Sequence, residues 1–169
     1  MCSSDLHAAP SPDSTVSLAA RALSLACEGV DLAVATDHNR VTDYGPAVQA
    51  LGLGERLATV AGDEVTPAGR TWGHFNAFPL LPAAGAPEEA ATVYFDQTPA
   101  SLFAAARAAG ARVLQVNHPR MDPFIGYFDI TRFDARTGRA EAAFAEGFDA
   151  LEDRKSTRLN SSHLVISYA

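Results

Sequence analysis

The sequence predicts an α/β protein built on a largely parallel sheet. Three observations lead there. Short apolar runs bounded by turn residues alternate along the chain with stretches of helical periodicity. The runs are apolar at successive positions, as expected of strands covered on both faces. Histidines and carboxylates stand at the edges of those runs, where an α/β enzyme presents its chemistry.

Thr15 to Glu28, "TVSLAARALSLACE", places Val16, Leu18, Ala22, Leu23, Leu25 and Ala26 in helical spacing. Asp13 or Ser14 is expected to cap this helix and Gly29 to end it. Cys27 falls on its apolar side and is expected to be a small buried hydrophobe. Val30 to Ala35, "VDLAVA", reads as a buried strand, and Pro46 to Leu51 as a short helix. Leu57 to Val65 reads as a second strand and His74 to Leu80 as a third. The Pro- and Ala-rich segment Pro82 to Ala91 is expected to be a loop. Pro99 to Ala109 is a helix with Thr98 as N-cap and Gly110 as stop. Arg112 to Val116 is a further strand, and Phe148 to Leu151 begins one more.

The 169 residues suffice for one domain with its own core. A net charge of -7 argues against a nucleic-acid partner, which calls for a basic footprint. No apolar run reaches the roughly 18 residues needed to span a membrane. Cys2 and Cys27 suggest neither a disulfide framework nor a zinc knuckle.

The composition changes near the C-terminus. Lys155 is the only lysine, in "DRKSTRLNSSHLVISYA", whereas Arg supplies the Lys/Arg charge before Asp153. That tail and the opening "CSSDL" resemble translated sequencing adaptors. The expectation is a native body of residues 7–152 flanked by adaptor-derived ends, 1–6 and 153–169, which are excluded from fold reasoning. The tail is then expected to dangle or to lie against an exposed sheet edge.

Outside the tail there are four histidines, His7, His38, His74 and His118, and each follows or opens an expected strand. A lone histidine is usually a satisfied polar group, but four at strand boundaries point to convergence on one rim. Imidazole mixed with carboxylate suits zinc, manganese or iron. Glu64, in "GDEVT", ends an apolar strand and must meet a cation or a salt-bridge partner there. Asp13 is a helix cap or a ligand. Asp37 can orient a histidine, and Asp63 is expected to be solvated rather than ligating. Arg120, in "NHPR", is a surface charge or the cation that holds an anionic substrate group. Asn76 and Asn117 can orient a ligand or donate to substrate.

Taken in order, "LHAAPSPDS", "GVDLAVATDHN", "GDEVT", "WGHFNAFPL" and "NHPR" resemble the polymerase-and-histidinol-phosphatase (PHP) metallohydrolases, and among them the carbaryl hydrolase-like (CehA/McbA-type) branch. The resemblance runs from His7 to Glu152. It implies a distorted, TIM-like (β/α)7 barrel, here truncated at both ends, with two or three divalent metal ions in the intact parent at the C-terminal ends of the strands. It implies His7, Asp13, His38, Glu64, His74 and His118 as metal ligands, with Glu64 bridging two ions and Asp37 supporting. The family opens on His-x-His, and the downstream spacing makes His7 the second of these, so that Asp5 stands where the first belongs. The family's late Asp-x-His is absent, because "FDALE" runs directly into the tail.

The expected activity is metal-dependent hydrolysis. A metal-bound hydroxide attacks a phosphoester or a carboxyl or carbamate ester, with Glu64, His38, Asp37 and Arg120 as the catalytic group. The expected partner is a small-molecule ester or phosphoester. Ser11 and Ser14 lie near a histidine but form no nucleophile elbow, so covalent catalysis is the weaker option. Two rivals stand beside this reading. One is a metal-binding domain without turnover. The other is an ordinary barrel with incidental histidines, which would leave His7, His38, Glu64, His74 and His118 scattered.

Overall fold

The structure is a computed structural model and describes residues 2–3, 5–83, 91–121, 124–141, 143–152 and 164–165. Its elements in chain order are β1 (Cys2–Ser3), α1 (Leu18–Cys27), β2 (Leu32–Ala35), α2 (Gly45–Ala50), β3 (Ala58–Ala61), β4 (Asp63–Val65), β5 (Phe75–Phe78), α3 (Pro99–Ala108), β6 (Val113–Val116), α4 (Tyr127–Ile130), β7 (Ala150–Glu152) and β8 (Leu164–Val165). No helix among the described residues is long and apolar enough to cross a membrane.

The helices follow local rules, with one correction at each end of α1. Ser17 is its N-cap, its hydroxyl accepting from the Ala20 N–H, so neither Asp13 nor Ser14 plays that part. Cys27 is exposed rather than buried, because α1 turns Ala22 and Leu25 inward and Cys27 falls on the other side of the helix. Helix α3 starts on the expected cap: Thr98 and Ser101 form a capping box, with Pro99 in the first turn. Helix α4 escapes the periodicity reading because four residues are too few to show a period.

The strands overturn the expected architecture. Among the described residues they form two open sheets, in the orders β1-β2-β3 and β4-β5-β6-β7-β8, and no closed (β/α)7 barrel. The first sheet is parallel throughout. In the second, β4 with β5, β5 with β6, and β7 with β8 are antiparallel, and only β6 with β7 is parallel. Between β4 and β5 lies a helix-free connection, shorter than the dozen or so residues a parallel crossover needs, so the chain returns antiparallel. From the end segments, β1 lies on the edge of β2 and β8 on the edge of β7. The expected loop from Pro82 to Ala91 falls mostly on residues 84–90, outside the described residues.

The single strand expected from Leu57 to Val65 is two strands in two sheets, parted at Gly62. A Cβ on Gly62 would stand 2.9 Å from the Ala77 carbonyl oxygen and 3.0 Å from that of Ala35. Both are main-chain atoms of neighbouring strands, so glycine is what lets the chain pass between the sheets. Gly62→Ala is expected to cost about 1–3 kcal/mol by overpacking, read as a lower denaturation midpoint in urea.

Each sheet has its own core. Ala22, Leu25, Ala33, Ala35, Tyr44 and Val48 pack under the first. Under the second lie Val65, Phe75, Ala77, Leu102, Phe103, Leu114, Val116 and Tyr127. Side chains alternate along a strand, so residues on the other face of the second sheet point away from that core. There the register sets Glu64 beside Asn76, and Asn76 beside Gln115. All three are buried polar residues, and together they make a polar floor.

Candidate metal centre

The rim of this floor gathers the histidines, and strand direction explains how. His38 follows β2 and forms an isolated parallel bridge with Glu64. His118 follows β6, and His74 directly precedes β5. Because β5 runs against β6, the start of one meets the end of the other, and the Asn117 N–H donates to the His74 carbonyl at 3.0 Å. The implied placement of every ligand at the C-terminal end of a strand is thereby corrected: His74 enters from an N-terminal end. His7 is carried by the segment after β1, where Thr36 N–H donates to the Leu6 carbonyl at 3.2 Å.

Glu64 lies at the centre, 1% exposed. Its Oε2 is 2.7 Å from His7 Nε2 and 3.3 Å from His38 Nδ1. Its Oε1 is 3.2 Å from His74 Nδ1 and 3.9 Å from His118 Nε2. The four rings follow one another edge to face, with centroids 4.4, 5.2 and 4.8 Å apart in the order His7, His38, His74, His118. Two ligand sets result, His7–His38–Glu64 and Glu64–His74–His118, each with donor atoms within 4.8 Å of one another and sharing the one carboxylate. The scatter expected of incidental histidines is not seen.

The donor set suits a cation. Two ligands about 2.0–2.1 Å from zinc at a tetrahedral angle stand about 3.3–3.4 Å apart. The separation from Glu64 to His74 Nδ1 comes close to this, while His7 is drawn in to hydrogen-bond distance and His38 Nδ1 is taken up by Thr66, which leaves His38 Nε2 as its free donor atom. The cluster of His7, His38, Glu64, His74 and His118 can therefore hold a metal ion.

Other side chains hold these five in place. Asn117 donates from Nδ2 to Glu64 Oε1 at 2.9 Å and to Asn76 Oδ1 at 2.8 Å, and itself accepts from Gln115 Nε2 at 2.8 Å. Thr66 Oγ1 is 2.6 Å from His38 Nδ1 and donates to the Glu64 carbonyl at 3.2 Å. Asn39 clasps Thr66 reciprocally, its Nδ2 donating to the Thr66 carbonyl and its Oδ1 accepting the Thr66 N–H. Asn39 itself sits at φ +51°, a left-handed conformation that Asn tolerates better than most residues.

The remaining expected residues divide. Asp13 joins the cluster from its exposed side, with Oδ2 at 2.8 Å from His7 Nδ1 and 3.6 Å from His38 Nε2. Ser11 is no nucleophile in this arrangement: its hydroxyl donates to Asp13 at 2.6 Å and accepts the His38 N–H at 3.1 Å. Asp37 is buried and turned to the main chain, accepting the Ala8 N–H at 2.6 Å and so fixing the residue next to His7. Arg120 makes its contacts with α4 and the turn beyond it. Its guanidinium pairs with Asp129 at 3.1 Å, donates to the Phe133 carbonyl and lies over the Phe128 ring. Asp63, expected in solvent, is fully buried; it points away from Glu64 along β4 and accepts the Thr92 N–H at 2.9 Å.

Electrostatics follow this packing. Burial alone would raise Glu64, yet hydrogen bonds from His7 and His74 and the nearby imidazoles outweigh it and hold the carboxylate well below its usual range. Burial opposes the charged form of His7, but Asp5, Glu64 and Asp13 push it up to about 11. His38 is drawn down, chiefly by burial and against the pull of Glu64. Asp63 is pushed up to about 7 by burial, against the N–H groups of Thr92 and Arg40.

Gln115, Thr66 and Glu152 join the site beyond the residues that the sequence reading names. A signal existed, since "HFN", "EVT" and "QVN" each place polar residues two apart around an apolar one. That period of two marks a polar sheet face, here turned inward. No family model matches the chain, and no curated protein matches it.

Proposed function

We propose that this chain carries the centre of a metal-dependent hydrolase that acts on a phosphoester or on a carboxyl or carbamate ester. The observation that carries the reading is the division of Glu64, one oxygen toward His7 and His38 and the other toward His74 and His118. A carboxylate so divided is suited to two divalent ions, zinc, manganese or iron, with Asp13 available to the His7 side. Such ions, when bound, supply Lewis acidity that activates water and polarises the electrophilic oxygen. The chain's own residues do the rest. The Asn117 amide fixes the plane of Glu64, Thr66 and Ser11 fix His38, and Asp37 fixes the backbone beside His7. The order of five motifs and its resemblance to PHP metallohydrolases support the same chemistry; a barrel is no part of the proposal.

One observation favours a second reading, metal binding without turnover. Asp5, where the resemblance calls for a histidine, stands 3.3 Å from His7 Nε2, the same nitrogen that faces Glu64. An acidic group there competes with the cation for that imidazole.

Zinc or manganese added to the apo chain is expected to bind with release of protons and more weakly as pH falls, because only the neutral imidazole is a ligand. Calorimetry in buffers of different ionisation enthalpy measures the release. With metal loaded, turnover of a chromogenic phosphodiester or a naphthyl ester by Asp5→His supports the hydrolase reading, and its absence there supports metal binding alone. Slow or undetectable turnover is expected of this chain, and replacement of Asp5 by histidine is expected to raise it. A chain that binds neither ion in dialysis would end both.

A further inference from the structure

We propose that Glu152 is the positioning residue for His118, its carboxylate holding the His118 main chain in the turn from which the imidazole faces Glu64. The inference rests on the metal-centre reading above, and it starts from the register of β6 and β7. These strands pair parallel, Gln115 with Ala150 and Val116 with Leu151. One step further the ladder ends, because His118 adopts φ +30° and the chain leaves the sheet. A non-glycine residue with positive φ is strained and persists only where its surroundings impose it. The N–H of His118 has left the strand, and Glu152 Oε2 accepts it at 2.6 Å. Glu152 is 4% exposed, and a carboxylate is buried at tolerable cost only where it receives such bonds.

The flanking bonds do not fix this amide. Asn117 N–H goes to His74, and Phe128 N–H goes to the Pro119 carbonyl, anchoring the residues on either side. Between those anchors the carboxylate of Glu152 decides where the His118 backbone lies, and hence whether its Nε2 faces Glu64 Oε1. Glu152 belongs to neither ligand set, and its bonded oxygen is turned to the main chain. It acts through His118.

The test uses the full chain as wild type, Glu152→Gln, Glu152→Ala, His118→Ala and the double variant Glu152→Ala with His118→Ala. Amide exchange of His118 is read by NMR without metal, and zinc per chain is read after dialysis. The wild-type amide is expected to be protected. Glu152→Ala is expected to lose at least about tenfold of that protection, while Glu152→Gln, which keeps an acceptor oxygen, retains most of it. In zinc loading, Glu152→Ala is expected to match His118→Ala, losing the ion of the His74–His118 half and keeping the other, with Glu152→Gln restoring it. A merely structural role would instead weaken both halves equally and would add to His118→Ala in the double variant. An unprotected wild-type amide, or protection unchanged in Glu152→Ala, overturns the proposal even if no variant folds well enough for zinc analysis. A wild type that takes up no zinc ends the metal reading, while the amide still decides the positioning.

Discussion

Glu64→Gln is expected to reduce metal affinity by more than about 100-fold and to abolish any metal-dependent turnover. Loss of an outer partner of a metal ligand already costs about 10–100-fold. Glu64 faces four imidazoles at once and belongs to both ligand sets. Glutamine keeps the shape and one acceptor, so the Asn117 amide still has a partner, but the charge that two cations would share is gone. Equilibrium dialysis with zinc against the wild type measures the effect, and far-UV circular dichroism checks that the fold is retained. Unchanged zinc loading in this variant would remove Glu64 from the centre.

Tyr127→Ala is expected to destabilise the chain by about 3–5 kcal/mol, a large part of the roughly 5–15 kcal/mol that holds a domain folded. Tyr127 is fully buried and packs edge to face on Phe75 and stacked on Phe144. Its hydroxyl donates to the Ala145 carbonyl at 2.9 Å and accepts the Ala145 N–H at 2.7 Å. The loss also reaches the candidate centre. Gly73, next to His74, is at φ +93°, and a Cβ there would stand 3.0 Å from the Tyr127 nitrogen, so α4 is packed tightly against the approach to β5. Urea titration gives the stability, and Tyr127→Phe separates the ring from the hydroxyl. The phenylalanine variant is expected to lose about 1–3 kcal/mol, the cost of leaving the Ala145 pair unmet. Equal losses in both variants would mean that the ring contributes little.

The candidate ligand residues are legible one at a time. A histidine or carboxylate at the edge of an apolar run breaks a local pattern, and a local pattern can be read without knowing what packs where. The same holds for α3, whose cap, proline and terminal glycine lie within a dozen residues of one another. Asp63 and Cys27 depart from the sequence expectation because burial belongs to neighbours far along the chain. Asp63 is covered by the segment around Thr92, and Cys27 is left uncovered because α1 turns only Ala22 and Leu25 inward.

The sequence by itself determined which groups could meet a cation: four imidazoles that follow or open an expected strand, and a carboxylate that ends one. Only the tertiary structure decided how they meet. Antiparallel pairing of β5 with β6, where parallel strands in a barrel were expected, brings His74 beside His118. The register of β4, β5 and β6 sets Glu64, Asn76 and Gln115 on one buried polar face. The physical reason is range. Periodicity and capping act over one or two turns of chain, whereas strand direction and sheet partners are settled by apolar faces and hydrogen-bond ladders joining residues tens of positions apart, which no local pattern records.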